Sequence, residues 1–120
     1  MGKVAVVIPA YNAERYVHDT VRSVLNSSYE NISVVVVNDG STDRTEEEVN
    51  RIKDERLVVI NRANEGMSAS RNFGIDAFDS EFIALVDSDD IWHPRKIELQ
   101  IETCVNDRFV NAGKWSFKSL

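Results

Sequence analysis

The chain has 120 residues, 42% of them hydrophobic, and a formal net charge of −6, so it is long enough for one domain with a real core and too acidic to suit a nucleic-acid backbone or an anionic membrane, both of which reward a basic face. Its single cysteine, Cys104, excludes an internal disulfide and a thiolate metal cluster. No apolar run reaches the roughly 18 residues that cross a bilayer and no signal-peptide core follows Met1, which makes the cytoplasm, including its membrane face, the expected location.

Val4 to Ile8 is a continuous apolar run closed by Pro9, a residue that cannot donate to a central ladder, and it reads as the first strand. Ala13, Val17, Val21, Val24 and Leu25 then recur at helical spacing and predict a helix over about 13–26 with one face on a sheet. Ile32 to Val37, nearly all β-branched, forms the second strand. The turn-rich segment Asn38 to Asp43 follows, and Asp43 with Glu46 makes a helix start whose acidic residues suit the N-terminal dipole. Only Val49 and Ile52 anchor that helix, which makes it the most exposed of the set.

Leu57 to Ile60 supplies a third strand, short enough for an edge. After Asn64-Glu65-Gly66, the residues Ala69, Phe73 and Ala77 share one helical stripe, extended by Ile75 and Phe78. Phe82 to Val86 is the fourth strand. Pro94 sits where a first helical turn favours it, and Ile97, Ile101, Cys104 and Val105 give the stripe of a fourth helix, with Cys104 packed as a small hydrophobe. Trp115 and Phe117 alternate with polar residues as a strand does, predicting a sheet edge or a contact with further material, and an unpaired edge there favours self-association. Strands alternating with helices of this length predict the α/β class: a Rossmann-like three-layer α/β/α arrangement around a mainly parallel sheet built from right-handed βαβ units. There is no internal repeat, low-complexity tract or linker.

Open parallel sheets bind ligands beyond the carboxyl ends of their strands, and four polar segments converge on that rim. They are Pro9-Ala10-Tyr11-Asn12, Asp39-Gly40, Ser68 to Asn72, and Asp87-Ser88-Asp89-Asp90. Two readings fit the last: carboxylates sharing a divalent cation, or one Asp capping the next helix while the others are solvated. A ligand across this rim could stack a base near Tyr11, hydrogen-bond its base or ribose to Asp39, and bring phosphates to Arg71 and to a cation on Asp89. Taken singly, Tyr11 is also a packing aromatic, Arg71 a surface ion-pair residue, Asp39 a turn residue, and Trp92 either a shield for the acidic cluster or a cover for the helix start. His18 and His93 have no metal-ligand spacing and read as surface or packing residues.

The strings Val6-Val7-Ile8-Pro9-Ala10-Tyr11-Asn12, Val37 to Asp43, Asn64-Glu65-Gly66 with Ala69 to Gly74, and Leu85 to Asp90 occur in the order of, and together resemble, the nucleotide-sugar-binding half of the family 2 glycosyltransferases of the GT-A fold. The resemblance covers the chain to about Leu99. It implies a nucleotide-diphosphate sugar as partner, UDP-sugar first, with Mn²⁺ or Mg²⁺ as cofactor, and transfer of the sugar to an acceptor hydroxyl with inversion, in a setting such as cell-surface polysaccharide biosynthesis. Carried over by position, Pro9, Ala10, Tyr11 and Asp39 would hold the nucleoside with Glu14 nearby. Arg71 would lie by the ribose or diphosphate. Asp87-Ser88-Asp89 would be the DxD motif, with Asp89 the main metal ligand and Asp87 on the metal, ribose or sugar.

Family members continue into an acceptor-binding half that carries the general base. Nothing after Asp90 offers one here, because Glu98 and Glu102 fall on the fourth helix, so residues 1–120 read as a donor-binding domain without the acceptor half, a truncated or a natural short form. Other functions fit less well. A sugar nucleotidyltransferase resembles a family with a Gly-rich loop after the first strand, where this chain has Pro9-Ala10-Tyr11-Asn12-Ala13. A phosphoacceptor receiver domain needs an acidic pair after the first strand and a later lysine, and neither is evident. A non-catalytic nucleotide-binding or interaction fragment is the remaining alternative.

Overall fold

The computed structural model describes residues 2–106 and the strand at 115–118. Five strands, β1 (Val4–Ala10), β2 (Ile32–Asp39), β3 (Leu57–Arg62), β4 (Phe82–Leu85) and β5 (Trp115–Lys118), form one sheet in the order β3-β2-β1-β4-β5. Every neighbouring pair is parallel. The helices are α1 (Val17–Leu25), α2 (Thr45–Asn50), α3 (Met67–Ala77) and α4 (Lys96–Asn106). The order explains the layers. The chain steps outward from β1 through β2 to β3, then returns to lay β4 on the other side of β1. A right-handed crossover in that reversed direction puts its helix on the opposite face.

Two apolar clusters show the result. Val4, Val6 and Ile8 of β1 meet Val17, Val21 and Val24 of α1, Val49 of α2, and Ile97 and Ile101 of α4. Val7, Val35, Val37 and Ile83 meet Ile75 and Phe78, at the end of α3, on the other face. Alternate residues of one strand serve alternate faces, and the central strands are apolar at nearly every position because both faces are covered. The α/β class and the three layers expected from the sequence are what the chain forms.

Several boundaries differ from the expectations, each for a physical reason. The first strand does not stop at Ile8: Pro9 and Ala10 continue β1, in register with Val37 and Asn38. Val7 and Pro9 face the β4 side, where β4 pairs only as far as Leu85 and the last bond runs from Val86 N–H to the Val7 carbonyl. The donor that proline lacks therefore has no ladder partner to lose. The second strand likewise runs on to Asp39, because Asn38 and Asp39 pair with Asn61 and Arg62 of β3, and the Asn38 amide donates to Asn61 Oδ1 at 2.9 Å. Helix α1 begins at Val17, after a turn closed by the Ala13 carbonyl.

The face that α3 presents is the largest correction. Ile75 and Phe78 of the expected stripe pack against the sheet, but Phe73 and Ala77 are exposed, and the buried residues of the helix are Ser70 and Gly74. A Cβ on Gly74 would lie 2.4 Å from Val7 Cγ1, so the helix rides too close to the sheet for large side chains beneath it. They splay to the flanks, where Phe73 lies 37% exposed beneath the Arg62 guanidinium at 4.1 Å. At the other end, β5 pairs in parallel with β4, Phe82 opposite Trp115, so the segment that lacked an expected partner has one. The side chains of Trp115, Phe117, Cys104 and Val105, and the stretch from Phe109 to Lys114, lie outside the described residues.

Candidate functional site

The strand order reverses between β1 and β4, and a crevice opens at the carboxyl ends of strands where this happens. Two loops flank that point, the one after β1 and the one after β4. The second is Asp87 to Trp92, and α1 anchors it: the buried Thr20 hydroxyl donates to the Ser88 carbonyl at 2.9 Å, and Ser23 Oγ accepts from Trp92 N–H at 3.1 Å. Asp90 N–H closes a turn onto the Asp87 carbonyl at 3.1 Å. The turn gathers Asp87, Asp89 and Asp90, which offer carboxylate oxygens within 4.8 Å of one another. Arg71 Nη2 approaches Asp87 Oδ1 at 3.6 Å. Three like charges so close repel, and one partly exposed guanidinium at that distance offsets only part of it. An all-oxygen set of this kind suits a hard divalent ion such as Mg²⁺ or Mn²⁺.

Beyond β1, the loop is stitched to the loop after β2. Asn12, with φ of 48°, donates its N–H to Ser41 Oγ at 3.0 Å, and its Oδ1 accepts from Thr42 N–H at 2.8 Å. Ala13 N–H donates to the buried Thr45 Oγ1 at 2.8 Å, and Glu14 N–H to Asp43 Oδ2 at 3.2 Å. Glu14 Oε2 in turn accepts from Arg44 N–H at 3.4 Å. Burial pushes the Asp43 carboxyl up, but hydrogen bonds from the Thr45 hydroxyl and from backbone N–H groups outweigh it and hold the carboxyl below its ordinary value.

Asp39 ends β2 and is 2% exposed. Its Oδ1 accepts from Glu65 N–H at 2.8 Å; its Oδ2 accepts from Gly66 N–H at 3.0 Å and from Asn64 Nδ2 at 3.4 Å. Gly40 takes φ of +68°, and a Cβ there would meet Asn64 N at 2.7 Å. The turn after β2 and the loop before α3 are thus packed backbone to backbone.

The rim therefore holds the residues that the sequence singled out, in three groups. Asp87, Ser88 and Asp89 share a loop with Arg71 beside it. Asp39 is enclosed by residues 64–66, and Glu14 belongs to the joint between the first two loops. Pro9 and Ala10 are buried strand residues that can offer a ligand little beyond their backbone, whereas Tyr11, 43% exposed, has a ring available for stacking. Trp92 is buried and carries Lys96 over its ring at 5.3 Å, so it covers the start of α4. His93 Nδ1 accepts from Arg95 N–H, and His18 lies 3.6 Å from Asp19; both serve locally. Sequence reasoning placed Asn12 on the rim and Ser41 and Thr42 in a turn but missed that they stitch the two loops together, and it missed Thr45 altogether. Their signal was a cluster of small hydroxyl and amide side chains, which turns also collect.

Comparison with known proteins gives a consistent picture. The profile described as Glycosyl transferase family 2 matches residues 5–117. An uncharacterized glycosyltransferase of Haemophilus influenzae is 35% identical over 124 residues, covering 100% of this chain and 50% of its own length. The Escherichia coli UDP-Glc:alpha-D-GlcNAc-diphosphoundecaprenol beta-1,3-glucosyltransferase WfaP is 38% identical over 102 residues, 84% of this chain and 41% of that protein. Among solved structures, S. aureus TarS 1-349 in complex with UDP-GlcNAc superposes with a TM-score of 0.80 at 28% identity, over 87% of this chain and 31% of that one. The chain thus spans half or less of these relatives.

Proposed function

The chain belongs to glycosyl transferase family 2, and from that premise we propose that it is a donor-binding domain that holds a nucleotide-diphosphate sugar through a divalent cation for inverting transfer to an acceptor hydroxyl. The observation that carries this reading is the trio Asp87, Asp89 and Asp90 within 4.8 Å, with Arg71 beside it, at the point where the strand order reverses. A UDP-sugar is the favoured donor, supported by the UDP-GlcNAc held by the TarS neighbour and the UDP-Glc in the name of the E. coli relative. That relative's lipid-diphosphate acceptor supports a setting at the cytoplasmic membrane face, in the assembly of cell-surface polysaccharide.

In this reading the Tyr11 ring stacks on the base. Asp39, Glu14 and the backbone of Pro9 and Ala10 bound the nucleoside. Asp89 is the principal ligand of Mn²⁺ or Mg²⁺, which when bound stabilises the departing diphosphate as a Lewis acid. Asp87 and Ser88 lie toward the ribose and sugar. Arg71 offers its planar donor fork to phosphate oxygens. The cation matters doubly in a chain of net charge −6, because an anionic diphosphate must otherwise approach an anionic rim. Titration calorimetry of UDP with Mn²⁺, and again with EDTA, tests this: binding is expected to depend strongly on the cation, and Asp89→Asn is expected to remove most of that dependence with the fold intact. Equal affinity with and without the cation would refute the metal assignment. UDP binding without any sugar transfer by a longer chain would favour a non-catalytic nucleotide-binding module.

A further inference from the structure

Helix α3 carries Arg71, yet it starts without a cap of its own. Its N-cap is Gly66, with φ of +101° and no side chain to accept a hydrogen bond, and its first turn has no acidic residue. The first N–H groups of a helix have no partner within it, and the helix is positive at that end. For the foremost of these groups, the N–H of the N-cap Gly66, the acceptor comes from another element, which also takes the N–H of Glu65 just before the helix. Asp39, the last residue of β2, takes Glu65 N–H on one carboxylate oxygen and Gly66 N–H on the other, at 2.8 and 3.0 Å, and is itself 2% exposed. Its neighbour across the ladder, Arg62, closes the loop from the far side through Glu65 at 3.0 Å.

We infer that Asp39 is a positioning residue: a cap lent by β2 to α3 that fixes where the helix begins and so where Arg71, about one and a half turns on, stands against Asp87. This rests on the reading that Arg71 meets the diphosphate, and deepens it. One carboxylate then serves both ends of the donor, the nucleoside by contact and the diphosphate through a helix. Only a short carboxylate does this well. An alanine offers no acceptor, and an asparagine keeps one oxygen but turns an NH₂ group toward one of the two N–H donors.

The test compares wild type, Asp39→Asn and Asp39→Ala, and reads the ligand-free protein first. In NMR exchange, the Glu65 and Gly66 amides are expected to lose protection by roughly tenfold to a hundredfold in Asp39→Ala, the factor that corresponds to losing hydrogen bonds to a charged group. Asp39→Asn falls between, and the Arg71 Nε–Hε resonance moves in step. Calorimetry with Mn²⁺ and inorganic pyrophosphate, which has no nucleoside, is then expected to show weakening in the same order. Unchanged amide protection, an unmoved Arg71 resonance, or pyrophosphate affinity that stays at the wild-type value while UDP affinity falls would each overturn the inference. Should wild type bind neither UDP nor pyrophosphate, the donor reading fails, while exchange and the Arg71 resonance still decide the cap. If Asp39→Ala does not fold, the near-isosteric Asp39→Asn carries the same comparison.

Discussion

Gly74 shows how a single side-chain hydrogen sets a layer spacing. A methyl group there would lie 2.4 Å from Val7 Cγ1 and 3.2 Å from Val37 Cγ2, both in the packed core beneath α3. Gly74→Ala is therefore expected to destabilise the fold by about 1–3 kcal/mol through overpacking, despite the better helix propensity of alanine, as read from the urea midpoint. Asp54 offers a pH-dependent test. Hydrogen bonds from the Arg56 side chain and then its backbone N–H hold the Asp54 carboxyl below its ordinary value, with Oδ1 to Arg56 N at 2.9 Å and Oδ2 to Nη2 at 3.0 Å. A folded-state value below the unfolded one means stability that is present above the unfolded value of about 3.9 and is lost as pH falls through the folded value. Asp54→Asn is expected to be less stable than wild type at pH 7, with the gap narrowing in urea titrations as pH is taken down through the lowered Asp54 value. At this scale the acidic rim and Arg71 were legible, because charge clusters announce themselves. The buried faces of Ser70 and Gly74 were not: a hydrophobic stripe was counted where close approach, and hence small residues, decided the contact.

Among elements, the site depends on joints between loops that periodicity does not reveal. Thr45 opens α2 and is fully buried, and its hydroxyl receives Ala13 N–H from the loop after β1 at 2.8 Å. Thr45→Val keeps the shape but strands that N–H, so a loss of about 1–3 kcal/mol is expected, again by urea unfolding. The same variant is expected to weaken UDP binding, since Tyr11 leaves the loop that Thr45 holds; unchanged affinity would detach that loop from the nucleoside. Strand identity and order of appearance were readable from apolar runs separated by helical stripes. Strand ends were not. Asn38 and Asp39 read as turn residues by composition, and they remain in β2 only because Asn61 and Arg62 of β3 lie in register to receive them. Pro9 reads as a terminator, yet it continues β1 because its missing donor faces the side where β4 has ended. Both depend on neighbours distant in sequence.

The chain spans 50% of the Haemophilus relative and 41% of the E. coli one, and the reading proposed above assigns its rim to the donor alone. Residues 1–120 alone are expected to bind a UDP-sugar with Mn²⁺ and to transfer it to no acceptor at an appreciable rate, because a positioned base contributes about 10²–10⁴-fold and acceptor orientation more. Incubation with labelled UDP-sugars and candidate acceptors checks this, and turnover on the order of 1–10³ per second would show a base within these residues. An all-parallel sheet also gives the molecule two unlike poles. Every strand enters at one pole, beside Lys3, Asn31, Glu55 and Glu81, and leaves at the other, beside Tyr11, Asp39 and Asp87. The 7 residues of β1 separate them by about 23 Å at the usual rise per residue. A bead, dye or electrode attached through the exposed Glu55→Cys in a Cys104→Ser background would hold the protein by the end opposite the rim, presenting the acidic rim outward in one orientation, so that immobilised molecules would titrate with nucleotide as a uniform population.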